Sequence, residues 1–190
     1  MKRKMLAICA MTVMLLSGCT DSHILASGGP AEPIFETQDG IVLDWTQIGE
    51  EMDEEFVDNA DYPMALSVNY SVDPESKSIE MTLIVKDGTT PEEAVKFADA
   101  AVRYLNDSAA IQDFSIESSD ETSYGGLFKE NSLNLLVMPD AGMTQKEYRL
   151  VEMTIPAGSE APIVPKEGAV IIEPTEEDSE EDTEETQKAS

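Results

Sequence analysis

The chain has 190 residues, 12 basic and 39 acidic, for a net charge of −27. So acidic a composition argues against nucleic acid, whose phosphates demand Lys and Arg, and against a face lying on anionic lipid. It favours solubility and, among partners, cationic ones.

Residues 1–18 fall into three parts. Lys2, Arg3 and Lys4 form a positive start, residues 5–16 an apolar core, and Ser17-Gly18 the small residues that a peptidase site needs. As a helix the core spans roughly 18 Å, short of a ~30 Å bilayer interior, so it is an export signal rather than a resident membrane helix. Leu16-Ser17-Gly18-Cys19 resembles the lipobox of bacterial lipoproteins: a Leu, two small residues and an obligatory Cys. The resemblance covers residues 1–19 only. It implies cleavage between Gly18 and Cys19 and a diacylglycerol on the Cys19 thiol. The mature chain is then held on the extracytoplasmic face of a bacterial cell membrane. Two acyl chains hold stably where one is marginal. Cys9 leaves with the signal and Cys19 is consumed by lipid, so no disulfide, thiol nucleophile or thiolate ligand remains. The signal takes three basic residues with it, and 9 basic against 39 acidic leaves −30 on the mature chain.

Residues 19–40 form a tether, with Gly28-Gly29-Pro30 and Pro33 and no periodicity; as a flexible coil its ends lie roughly 25 Å apart. His23, the only histidine, sits there as an exposed linker residue. The folded part therefore lacks histidine for acid–base work or metal ligation.

Residues 44–58 predict a helix. Asp44 caps it with Gln47 at capping-box spacing, and Trp45, Ile48, Met52 and Phe56 share one face. Glu50, Glu51, Asp53, Glu54 and Glu55 populate the rest, Gly49 is a weak point, and Asp61-Tyr62-Pro63 breaks the chain. A hairpin follows. Leu66, Val68, Tyr70 and Val72 alternate with polar residues, residues 73–77 are turn chemistry, and Ile79, Met81, Leu83 and Val85 alternate again.

Thr90-Pro91-Glu92-Glu93 opens a second helix with cap, proline and box. Its stripe is Ala94, Phe97, Ala98, Ala101, Val102 and Leu105, and Asn106-Asp107 ends it. Phe114 and Ile116 mark a third strand, and Leu133, Leu135 and Val137 a fourth. Residues 147–155 fit a strand by alternation and a helix by the spacing of Thr144 and Glu147. Residues 156–165 look like a linker, 169–172 add a short edge strand, and 173–190 form a disordered acidic tail. Ser78-Ile79-Glu80-Met81 and Ser132-Leu133-Asn134-Leu135 are alike at a spacing of 54, as are Thr90 and Thr144, which hints at a β-β-α repeat.

The loop of residues 118–131 holds Tyr124, Leu127 and Phe128 around two glycines. Loops of this length are uncommon without a role. Its apolar residues either anchor a partner or fold back as a lid on the core, and Tyr124, Leu127 and Phe128 are the candidate binding residues.

No Gly-x-Ser-x-Gly, Ser-x-x-Lys or Gly-Lys-Ser/Thr motif occurs. Carboxylates are too many for sequence to select a catalytic pair, and no calcium loop pattern exists. No cofactor and no metal is expected. The expected fold is α+β over residues 41–172: an antiparallel sheet of four to five strands with two helices on one face. The expected function is a non-catalytic binding or accessory lipoprotein with a cationic protein or peptide partner. The alternatives are a carboxylate-dependent envelope hydrolase and a structural spacer.

Overall fold

A computed structural model describes residues 41–173. The export signal, Cys19, the tether with His23, and the tail beyond residue 173 lie outside the described residues.

Helix α1, Trp45–Phe56, starts where Asp44 accepts hydrogen bonds from the backbone N–H of Thr46 and Gln47 at 3.1 and 3.0 Å. The expected box does not close, because the Gln47 amide donates to Glu51 one turn on, at 2.7 Å. Ile48, Met52 and Phe56 are buried, and Trp45 packs half-buried against the core.

Strands β1, Ala65–Asp73, and β2, Ser78–Val85, pair antiparallel. Asp73 makes their turn: its carboxylate accepts from the Ser76 hydroxyl and from the Ser76 and Glu75 amides, which hold it below the ordinary carboxylate range. Leu66 departs from the expected alternation. Ala65 faces Val85 and Ser67 faces Ile84, so Leu66 is the extra residue of a bulge and lies exposed.

Helix α2, Pro91–Gln112, begins with the expected capping box between Thr90 and Glu93 and buries the expected stripe. It does not end at Asn106-Asp107. Asn and Asp interrupt helices by bonding nearby backbone, but here both side chains bond the following loop instead. Asn106 reaches Glu117 and Leu127, and Asp107 reaches Ser119. The helix runs on until Asp113 closes a turn, accepting from Ser115 N–H on its side chain and from Ile116 N–H on its carbonyl. That turn replaces the strand expected at Phe114 and Ile116.

A short helix α3, Gly126–Glu130, leads into β3, Ser132–Pro139; two 3-10 turns follow, then β4, Val151–Ile155. The sheet order is β1-β2-β3-β4. The α+β class, the four strands and the helix-covered face match expectation. An all-antiparallel sheet does not form: β2 and β3 are parallel, because α2 returns the chain to the starting end of β2 before β3 begins. Ser78 faces Ser132 in that pair, so the 54-residue likeness is the register of two neighbouring strands with identical burial. At Thr144 only a 3-10 turn follows, Lys146–Tyr148, where the repeat would require a helix. Residues 147–155 resolve as that turn and strand β4, and residues 169–172 form no strand.

Three rows of side chains cross the covered face: Val72-Ile79-Leu133-Ile155, Tyr70-Met81-Leu135-Met153 and Val68-Leu83-Val137-Val151. Phe97, Ala98, Ala101 and Leu105 of α2 and Ile48 and Met52 of α1 join them in one core. Among the described residues no helix is long and apolar enough to cross a membrane.

Candidate functional site

The loop singled out by sequence folds inward. Tyr124, Leu127 and Phe128 are 5%, 6% and 4% exposed and belong to the core. Two glycines permit this. A Cβ on Gly125, whose φ is +97°, would fall 2.0 Å from the Asn106 side chain, and one on Gly126 would fall 2.5 Å from the Glu117 nitrogen. Arg103 stacks over the Tyr124 ring at 5.1 Å, binds both oxygens of Asp99, and donates to the Asp120 and Ser123 carbonyls. The Tyr124 hydroxyl donates to the Ala161 carbonyl, and Glu160 accepts from Ser123 and the Tyr124 N–H. Residues 156–165 are therefore docked on the loop and are not a linker. The structure brings the three candidates together, but as packing, with little apolar surface left to anchor a partner. A cavity of about 410 Å³ beside them contains Asp99 and Glu160; Asp99 is neutralised by Arg103.

The site that sequence did not single out lies at the other side of the core. A groove of about 420 Å³ runs between α1 and β1, lined by Trp45, Thr46, Gly49 and Asp53 on the helix and by residues 68–72 on the strand. Five successive strand residues point alternately to opposite faces. That all five line the groove places it along the strand's edge rather than over one face. β1 is the outer strand among the described residues and pairs there with β2 alone. Among the described residues, no other backbone group bonds residues 66–72.

The helix residues shape this groove by what they omit. A Cβ on Gly49 would lie 3.7 Å from the Tyr70 hydroxyl, in ordinary contact; with hydrogen there instead, the channel stays open. The helical weak point in the sequence is thus a wall of the groove. Tyr70 spans the floor, its ring edge-on to Trp45 at 6.1 Å and its hydroxyl donating to the Trp45 carbonyl.

Charge is one-sided. α1 carries Glu50, Glu51, Asp53, Glu54 and Glu55 and no basic residue. The ion pairs among the described residues involve Glu130, Asp99, Glu117 and Glu152, none of them on α1. Asp53, Glu54 and Glu55 also crowd the helix's C-terminal turn, the negative end of its dipole, where a cation is favoured.

Burial, then the Asp44 and Glu51 charges, push the Tyr70 phenol from 10.0 up to about 12. Below pH 10 the phenol is neutral in the folded and unfolded chains, and its contribution to stability is complete. Between pH 10 and about 12 the unfolded chain releases the proton while the folded one keeps it, so stability falls as pH rises through that window. Urea midpoints measured from pH 9 to 12 are expected to fall more steeply for the wild type than for Tyr70→Phe. Parallel curves would show that this phenol does not govern alkaline unfolding.

Among the described residues, no group of three or more Asp, Glu, His or Cys is arranged to hold a metal ion. No family model, no curated protein and no solved structure matches the chain.

Proposed function

We propose that the protein is a lipid-anchored, extracytoplasmic, non-catalytic binding module for a cationic protein or peptide. The observation that carries the partner half is the groove on the open edge of β1, walled by a helix whose acids make no ion pair among the described residues. Binding needs exposed hydrogen-bonding groups and a complementary field, and this edge supplies both. The hydrolase alternative has less support, because the acid Asp99 in the second cavity is held by Arg103 on both oxygens.

The anchor half rests on Leu16-Ser17-Gly18-Cys19. In cells fed a labelled fatty acid, the wild type is expected to take up label and fractionate with membranes. Cys19→Ala is expected to lose the label and to accumulate as precursor or leave the membrane. Label retained by Cys19→Ala would overturn the anchor.

A further inference from the structure

We infer that β1 receives an extended cationic segment of a partner protein as a fifth strand, laid in the groove beside α1. Resting on the binding role proposed above, this fixes its site and mode.

The two edges of the sheet differ. β4 is five residues long, and the chain folds back beside its start, where Lys166 N–H donates to the Leu150 carbonyl. β1 is nine residues long. Exposed edges are normally guarded by lysine, proline, tight bulges or short length. β1 has no Lys or Pro, and its one bulge lies at Leu66, before the groove begins. Along residues 68–72 every second residue turns both N–H and C=O outward, over about 16 Å at ~3.3 Å per residue. An added strand satisfies those groups, and its alternate side chains enter the space that Gly49 leaves open.

Charge selects the occupant. A second copy of this chain would bring its own −27 and its own acidic α1 to the same edge, and like charges face to face oppose that pairing. A lysine- or arginine-bearing strand meets Asp53 within the groove, on a helix that carries four further acids and no basic residue, and its charge lowers the repulsion at the helix's negative end.

The test uses the full-length protein in detergent and a peptide of alternating valine and lysine. Isothermal titration is expected to show binding that weakens steeply with salt. N-methylating two alternate amides of the peptide is expected to weaken it about tenfold or more, as the loss of two hydrogen bonds requires. Gly49→Leu, which fills the groove and favours the helix, is expected to weaken binding similarly without lowering the melting temperature. In amide exchange, alternate residues of β1 are expected to gain protection on binding. If binding is salt-sensitive but indifferent to both N-methylation and Gly49→Leu, the edge is not the site, while the cationic partner stands. If the peptide does not bind at low salt, the binding role itself falls. Sedimentation showing a dimer that Gly49→Leu dissociates would make a second copy the occupant and overturn the inference. The N-methylated peptide keeps the test decisive should Gly49→Leu fail to fold.

Discussion

Asn106→Leu is expected to destabilise the protein by about 2–4 kcal/mol, a large share of the 5–15 kcal/mol that holds a typical domain together. Asn106 is fully buried near the end of α2. Its carbonyl oxygen accepts from the Leu127 N–H at 2.9 Å and its amide donates to the Glu117 carbonyl at 3.0 Å. Leucine matches its shape but leaves the Leu127 N–H unpaired in the interior and the Glu117 carbonyl with its bond from the Gly126 N–H alone, and orphaning a buried donor costs more than its bond contributes. Gly125 belongs to the same lock, since its missing side chain is the space the Asn106 amide occupies. Gly125→Ala is therefore expected to cost less in an Asn106→Ala background than in the wild type. Urea unfolding measures both. A loss below about 1 kcal/mol for Asn106→Leu, or strict additivity of the pair, would show that the loop is not pinned here.

Phe56→Ala is expected to cost about 3–5 kcal/mol, the range for removing a buried aromatic ring. The ring is 1% exposed and meets Tyr62 at 4.8 Å and Phe97 and Tyr104 at 5.5 Å each. It ties the last turn of α1 to the middle of α2, against the repulsion among Asp53, Glu54 and Glu55. Phe56→Leu refills part of the space and is expected to cost less than half as much. Thermal unfolding with peptide present and absent separates the two consequences: the alanine variant loses stability and also loses its groove wall. Equal melting temperatures for wild type and Phe56→Ala would show that α1 is held elsewhere.

Much of the framework was legible because it is local. Asp44, Thr90 and Glu93 mark helix starts by bonds within three residues, and the hairpin carries its own turn at Asp73. What failed depended on distant partners. Asn106 and Asp107 look like a stop signal until Glu117, Leu127 and Ser119 take their side chains. Phe114 and Ile116 alternate like a strand, yet Asp113 folds them into a turn. The serine-led likeness 54 residues apart was visible as a repeat, while its cause, parallel pairing, is a matter of topology. The edge groove was the least legible. Gly49 and the acids of α1 were each apparent, but their meaning depends on β1 being outermost. Tyr124, Leu127 and Phe128, conspicuous in a glycine-containing loop, are apolar for the interior's sake.

The bonds at the two ends of α2 locate the ends of the described chain. Asp44 N–H donates to the Gln112 side chain, at the last residue of the helix, and the Ile172 carbonyl accepts from Gly88 N–H, just before its first turn. Twenty-two helical residues put these points about 33 Å apart. In many domains the two ends lie close together, and the fold hangs from a passing chain like a pendant. This one is threaded like a bead, with one hole at each pole. Asp44 and Ile172 stand at opposite ends of α2, so the described residues begin at one pole of the helix and finish at the other.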